Sequence, residues 1–212
     1  MGIIIIIRHG FSESNKKGYL THDIDGYPLT VEGEKYLIKS AEELKKLDNI
    51  KEIISSPILR ATQTAGIISK ITGLKVKKDE RLKERQMGNY NNKHIPEDNK
   101  GDQIDYNWHV KEILNGYPNG LESWEEVEKR VTDLLKEIPE DENVILVSHG
   151  DIIKAVIAYF LDLDEFGVWG IRANHGHFTI LDSKNKRILA IGAPVISDAI
   201  LDKIKHAIKE NE

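Results

Sequence analysis

Two histidines follow hydrophobic segments that are far apart in the chain. His9 is the second residue after a run of five isoleucines, His149 is the second residue after the apolar segment 143–147, and a glycine follows each histidine. A neutral imidazole can act as a nucleophile or as a general base. Ligands of open α/β sheets bind beyond the carboxyl ends of parallel strands. The two histidines therefore predict a functional site, although either one alone is equally typical of a structural residue.

The residues around His9 have the composition of an anion pocket. Arg8 offers a planar fork of donors, and Ser12 and Asn15 add neutral donors close by. Arg60 lies near the start of a predicted helix, where free backbone amides and the helix dipole also favour an anion. Arg60 taken alone is more typical of a solvated helix residue, so its assignment depends on the other groups.

Composition excludes several classes of protein. The chain has 212 residues, 40% of them hydrophobic, a net charge of -5 and no cysteine. The net charge gives no electrostatic reason to expect nucleic-acid binding, and the lack of cysteine excludes disulfides and thiolate sites. The first apolar run is too short to span a membrane, and an arginine follows it, unlike a signal peptide. We expect a cytoplasmic protein with no nucleic-acid or membrane partner.

The alternation of strand-like and helix-like segments predicts an α/β fold. We expect one domain over residues 1–212, a three-layer sandwich with a mostly parallel central sheet and helices on both faces. The predicted strands are 3–7, 52–55, 74–78 and 143–147, followed by a hairpin of 178–181 and 187–191. The predicted helices are 30–47, 57–71, 122–138 and 151–161, with a last helix that begins near Ser197.

An irregular segment at 85–120 interrupts this alternation. Long irregular insertions in compact domains are often functional, so we predict a lid that selects the substrate. Arg85, Lys93 and Lys111 are the candidate cationic contacts within it.

His175 and His177 could form half of a metal site. No histidine or carboxylate spacing in the sequence completes a recognised ligand set around them. We therefore predict no metal site, and a structural or pocket-rim role for both residues.

Five sequence blocks carry a resemblance to one enzyme family. Residues 8–15 match R-H-G-x-S/T-x-x-N, residues 25–33 are close to D-x-P-L-T-x-x-G, and residues 55–65 follow S-S-P-x-x-R-A-x-Q-T-A. Residues 81–88 contain an L-x-E segment, and residues 147–150 form a second histidine motif. In this order the blocks resemble those of the histidine phosphatase superfamily, the phosphoglycerate-mutase-like enzymes.

The resemblance implies a role for each site residue. His9 would attack phosphorus and form a phosphohistidine, and Glu84 would protonate the leaving alkoxide and later take a proton from water. The implied contacts to the phosphoryl oxygens are Arg8, Ser12, Asn15, Arg60, His149 and Gly150. No metal or other cofactor is required in this scheme, because protein cations stabilise the charge.

Three functions are compatible with these motifs. We favour a phosphatase acting on a small phosphorylated metabolite, because no paired arginines follow Tyr90 to bind a substrate carboxylate. The alternative is a phosphoglycerate mutase that needs 2,3-bisphosphoglycerate as a phosphoryl primer, which the L-x-E-R-x-x-G form of residues 82–88 supports. A non-catalytic module that binds a phosphorylated ligand is the third, although such a module would normally have lost His9, Glu84 or His149.

Specificity is the least defined property. Phe11 replaces the glutamate or glutamine that is usual in the family, so that wall of the pocket should be more apolar. The family also often places a small or polar residue near the phosphate at the position of Asn174. The candidate specificity residues are Phe11, Arg85, Tyr90, Lys93 and Asn174. Monomer and homodimer are both open.

Overall fold

A six-stranded sheet forms the centre of the computed structural model, which describes residues 2–94, 116–117 and 120–210. The strands are β1 (Ile3–Arg8), β2 (Tyr19–Leu20), β3 (Ile50–Ser55), β4 (Val76–Lys78), β5 (Lys93–His94), β6 (Asn143–Ser148), β7 (Phe178–Asp182) and β8 (Arg187–Ala193). The helices are α1 (Glu13–Lys17), α2 (Val31–Leu44), α3 (Leu59–Thr72), α4 (Trp124–Glu137), α5 (Gly150–Leu161), α6 (Glu165–Val168) and α7 (Asp198–Lys209).

The sheet is mostly parallel, as the alternating pattern predicts. Its strand order is β4-β3-β6-β1-β7-β8. The first four of these strands run parallel, and β7 and β8 are antiparallel to their neighbours. Since β3, β6 and β1 are adjacent and parallel, their carboxyl ends lie at one edge of the sheet. The predicted α/β fold is confirmed.

The isoleucine run lies in one of the two central strands of the sheet. β1 pairs with β6 on one side and with β7 on the other. Ile4 and Ile6 pack against the helical layer of α4 and α5, whereas Ile3, Ile5 and Ile7 pack against the layer of α2, α3 and α7. Both faces of the strand are covered, which explains a continuous β-branched run in place of alternation.

Side-chain caps define the starts of α2 and α4. The Thr30 side chain accepts a hydrogen bond from the Gly33 amide, and Ser123 forms a capping box with Glu126. The predicted start at Pro57 is wrong by two residues, because α3 begins at Leu59. Residues 56–58 instead form a turn in which the Ser56 amide donates to the end of β6.

The predicted insertion is described only at its two ends. Residues 88–90 form one turn of 3₁₀ helix, and β5 pairs with β2 in a separate two-stranded sheet. Lys111 and the rest of 95–115 lie outside the described residues. A lid at 85–120, and a single domain over 1–212, stay predictions.

Gly33, near the start of α2, lies in close contact with the segment that follows β1. A Cβ atom built on Gly33 would lie 2.2 Å from the Phe11 backbone oxygen. Such a contact cannot be relieved by rotating a side chain, so α2 can reach the segment after β1 only through glycine. This approach places the start of α2 beside the end of β1.

A pair of glycine substitutions tests this constraint. Gly33→Ala should lower the free energy of unfolding by about 3 kcal/mol, because the backbone must move to accept the methyl group. Gly66→Ala in α3 is the matched control, since its Cβ would meet nothing within 4 Å. That control should raise stability by about 0.5–1 kcal/mol, as alanine is the better helix former. Urea unfolding of both variants measures the difference, and equal effects would contradict the argument.

Candidate active site

The carboxyl ends of β1, β3 and β6 bring together residues that are distant in sequence. The His9 amide donates to the Ser148 carbonyl at 2.9 Å, one residue before His149. The two imidazole rings are 5.0 Å apart, centroid to centroid. Arg60 comes from the first turn of α3, which follows β3. The strand ends thus place His9, His149 and Arg60 in one cluster.

The His9 ring is held in one protonation state. Its Nδ1 lies 2.7 Å from the Gly10 carbonyl oxygen, and since a carbonyl can only accept, Nδ1 carries the proton. Nε2 therefore keeps a lone pair, which accepts a hydrogen bond from Nε of Arg60 at 3.1 Å. Burial, followed by the charge of Arg60, holds the pKa of His9 well below its usual value. His9 is thus a neutral imidazole near neutral pH.

Arg60 is a buried cation with one free donor group. Its side chain is 2% exposed, and one terminal nitrogen, Nη2, donates to the Thr21 carbonyl at 2.9 Å. The other, Nη1, has no hydrogen-bond partner among the residues that the structure describes. Burial lowers the pKa of Arg60 to about 10, so it stays charged near neutral pH. An unpartnered buried donor beside His9 suits an anionic ligand.

Arg8 and His9 reach the same pocket although they are neighbours in sequence. β1 ends at Arg8, so the alternation of side chains stops there. Nη1 of Arg8 donates to the Ala173 carbonyl at 2.8 Å, and its guanidinium packs 3.7 Å from where a Cβ of Gly150 would lie. Gly150 is the first residue of α5, so Arg8 covers the start of that helix.

Ser12 and Asn15 bind each other. The Asn15 Oδ1 atom accepts from the Ser12 amide at 3.0 Å and from the Ser12 hydroxyl at 2.7 Å. This fixes Asn15, which lines the pocket, with its carbonyl oxygen turned to Ser12. The Ser12 hydroxyl is buried and lies 2.9 Å from the Ser14 hydroxyl, and Ser14 is among the residues that line the pocket. Sequence reasoning missed Ser14.

His149 lies beside His9 and is fully buried. Its Nε2 is 2.8 Å from the Ser56 hydroxyl, and its Nδ1 has no hydrogen-bond partner among the described residues. Burial, with the charges of Arg60 and Arg8, keeps the pKa of His149 well below its ordinary value. A second neutral imidazole therefore stands next to His9.

The pKa of Glu84 shifts in the opposite direction. Burial raises the pKa of Glu84 to about 7, and the negative charge of Asp151 adds to the rise. Its Oε1 accepts from the Arg85 amide at 3.0 Å. Such a carboxyl can both donate and accept a proton near neutral pH. Asp151 was missed in the sequence, although it directly follows the second histidine-glycine pair.

An open pocket is lined by several of these groups. Charged and polar residues form its base, and Tyr19, Leu20 and Met87 add apolar walls. The described lining residues are Arg8, His9, Ser14, Asn15, Gly18, Tyr19, Leu20, Thr21, Arg60, Glu84 and Met87.

Several predicted specificity residues lie elsewhere. Arg85 is buried, and its Nη1 donates to Glu165 at 2.8 Å in an internal ion pair. Lys93 and Asn174 are exposed and are not among the described lining residues, and Tyr90 is half-buried outside that set.

Phe11 contributes to the site from behind. Its ring meets His175 edge-on at 5.4 Å, and His175 in turn lies 5.3 Å from His9. His177 points away, because its Nδ1 donates to the Gly192 carbonyl. In the described part of the chain, no group of three or more histidine and carboxylate side chains could hold a metal ion.

The space beside Gly10 is filled by a side chain of α2. A Cβ there would lie 2.4 Å from Cδ1 of Leu37, so the residue is needed for the packing of α2 against β1.

Comparison with known sequences confirms the resemblance. A sequence model of the histidine phosphatase superfamily (branch 1) matches residues 4–191. The 2,3-bisphosphoglycerate-dependent phosphoglycerate mutase of Thermoplasma acidophilum is 36% identical over 205 residues, which are 94% of this chain and 96% of that protein.

Solved structures share the fold. A mycobacterial glucosyl-3-phosphoglycerate phosphatase matches with a TM-score of 0.71 and 26% identity, over 90% of this chain and 98% of that chain. A phosphoserine phosphatase from Entamoeba histolytica, solved with 3-phosphoglyceric acid, matches with a TM-score of 0.75 and 24% identity, over 94% and 100% of the two chains. No helix in the described ranges is long and apolar enough to cross a membrane.

The coupling between Glu84 and Asp151 can be measured directly. Asp151→Asn removes the negative charge that disfavours ionisation of Glu84, so the pKa of Glu84 should fall below about 7. A ¹³C NMR titration of the glutamate carboxyl carbons gives this value, with Glu84→Gln to assign the signal. Asp133→Asn, an exposed carboxylate on α4, serves as the control and should leave the pKa unchanged. An unshifted pKa in Asp151→Asn would contradict the coupling.

Proposed function

This chain belongs to the histidine phosphatase superfamily, and from that premise we propose that it hydrolyses phosphomonoesters through a phosphohistidine intermediate, without a metal. The substrate in this proposal is a small phosphorylated metabolite. We place the activity in the cytoplasm, in a monomer or a homodimer, with no nucleic-acid or membrane partner.

One observation carries the proposal. His9 is neutral with its lone pair on Nε2, and this lone pair accepts a hydrogen bond from the buried Arg60. A phosphoryl group between His9 and Arg60 would exchange that hydrogen bond for a contact between Arg60 and a phosphoryl oxygen. The nucleophile and the cation are thus in place before the substrate arrives.

In the first step, Nε2 of His9 attacks phosphorus and the bond between phosphorus and the ester oxygen breaks. Glu84 gives its proton to the leaving oxygen, so an alcohol departs and Glu84 becomes a carboxylate. The negative charge of the transferring group is balanced by Arg8 and Arg60, with Asn15 as a neutral donor. His149, whose ring centroid lies 5.0 Å from that of His9, is a further contact to that group in this proposal, with Nδ1 donating when Nε2 accepts from Ser56.

In the second step, the Glu84 carboxylate takes a proton from water while the water oxygen attacks phosphorus. The bond between phosphorus and Nε2 breaks, and inorganic phosphate leaves. The pKa of Glu84, raised to about 7, allows both transfers near neutral pH. The cycle ends with His9 neutral again.

The pocket favours an ester with an uncharged group next to the phosphate. Both cations among the described lining residues, Arg8 and Arg60, lie close to His9. Tyr19, Leu20 and Met87 line the same pocket and offer apolar contact. Arg85, which could have bound a second acidic group, is held by Glu165.

Phosphoglycerate mutase activity is a second candidate. The 36% identity with a mutase over nearly the whole chain supports it. The same phosphohistidine would then pass its phosphoryl group to a phosphoglycerate hydroxyl in place of water, and 2,3-bisphosphoglycerate would be required to prime His9. A module that only binds phosphorylated ligands is less favoured, because His9, Glu84 and His149 are all present at the site.

Phosphate release in EDTA tests the proposal. The panel is 4-nitrophenyl phosphate, sugar phosphates, 3-phosphoglycerate and 2,3-bisphosphoglycerate. We expect hydrolysis by the native chain and at least a 10³-fold loss in His9→Ala, because the covalent route is removed. His206→Ala, an exposed histidine on α7, should retain full activity.

The other outcomes separate the alternatives. Isomerisation of 3-phosphoglycerate with little phosphate release would favour the mutase. Binding of these compounds without turnover would favour the non-catalytic module. Undiminished hydrolysis in His9→Ala would exclude His9 as the nucleophile.

A further inference from the structure

We propose that Arg130 and Glu122 are positioning residues for proton transfer, because together they clamp the segment that carries Glu84. This inference rests on the proposed role of Glu84 as proton donor. Neither residue lies among the described residues that line the pocket.

The clamp is a two-point ion pair. Nε of Arg130 lies 2.7 Å from Oε1 of Glu122, and Nη2 of Arg130 lies 3.0 Å from Oε2. The side chains are only 19% and 9% exposed. A planar, paired contact of this kind fixes orientation as well as distance, which a lysine could not do.

The same two side chains bind the backbone on both sides of Glu84. Nη1 of Arg130 donates to the carbonyl of Lys83 at 2.9 Å and also to that of Arg81. On the other side, Oε2 of Glu122 accepts from the Gln86 amide at 2.9 Å. The chain is therefore held one residue before and two residues after Glu84.

Further contacts hold this clamp in place. The Glu122 amide donates to the Gln86 carbonyl at 2.9 Å, and Nε of Arg85 donates to the Glu122 carbonyl at 2.7 Å. Ser148, at the end of β6, donates to the Leu82 carbonyl at 2.7 Å. The Glu84 segment is thus connected to α4 on one side and to the strand end beside His149 on the other.

The chemical consequence is specific to proton transfer. A carboxyl group that moves by about 1 Å can no longer donate its proton to the leaving oxygen in a good geometry. General acid catalysis raises the rate about 10²–10⁴-fold. The attack by His9 depends on other elements, β1 and α3. Loss of the clamp should therefore slow substrates that need an acid far more than substrates that do not.

Two aryl phosphates of similar size separate these cases. The phenolate of phenyl phosphate is a poor leaving group that needs a proton, whereas 4-nitrophenolate leaves readily without one. We would measure kcat/KM, which reports transfer to His9, for Arg130→Lys, Glu122→Gln and Glu84→Gln. Lys129→Gln, an exposed neighbour on α4, is the matched control.

We expect Arg130→Lys and Glu122→Gln to lower kcat/KM about 10–100-fold for phenyl phosphate and less than about threefold for 4-nitrophenyl phosphate. The decline of the phenyl phosphate rate with rising pH should weaken in parallel, and Lys129→Gln should behave as the native chain. Equal losses on both substrates, or no loss on either, would overturn the inference. If Arg130→Lys fails to fold, Glu122→Gln, which keeps the size of the side chain, decides.

If Glu84 is not the proton donor, the variants give a different result. If Glu84→Gln lowers kcat/KM equally for the two esters, Glu84 is not the proton donor and the proposed mechanism is wrong at that step. If Glu84→Gln is selective and the clamp variants are not, the mechanism stands and only the positioning role is excluded.

Discussion

The parallel pairing of β1 with β6 is the constraint on which the site depends. The register aligns Ile7 with Val147 and Arg8 with Ser148, so both strands end at the same level. A histidine directly follows each of the two strands. The His9 amide donates to the Ser148 carbonyl, which extends the strand pairing into the site. A slip of one residue would move Arg8 and His9 out of line with Ser148.

Burial then gives each ionisable group its chemical state. Loss of water disfavours the charged form, so it lowers the pKa of His9 and His149 and raises that of Glu84. These opposite shifts have one physical cause, and both are useful: the imidazoles keep lone pairs and the carboxyl keeps a proton. The arginines retain their charge because their ordinary pKa is so high that burial leaves Arg60 at about 10.

Hydrophobic runs and motifs are local signals. They were enough to predict the strand ends, a mostly parallel sheet, and the grouping of His9, Arg60 and His149. Contacts made between distant segments could not be predicted in this way. Arg85 looks like a free cation in the sequence, yet Glu165 holds it across 80 positions. Pro57 fits a first helical turn by type, but a hydrogen bond from Ser56 to β6 keeps that segment in a turn. Thr21 holds Arg60 through a backbone carbonyl, which no residue type reveals.

The acceptor that fixes the His9 tautomer is a main-chain carbonyl, that of Gly10. A side-chain acceptor could be removed by a single substitution, whereas a carbonyl of the backbone does not depend on any side chain. The packing of Leu37 against Gly10 also keeps its backbone where it is. Substitutions at Tyr19, Leu20 and Met87 can thus change the pocket walls while the His9 imidazole keeps the same protonation state. Related proteins can therefore acquire new substrates while His9 remains the nucleophile.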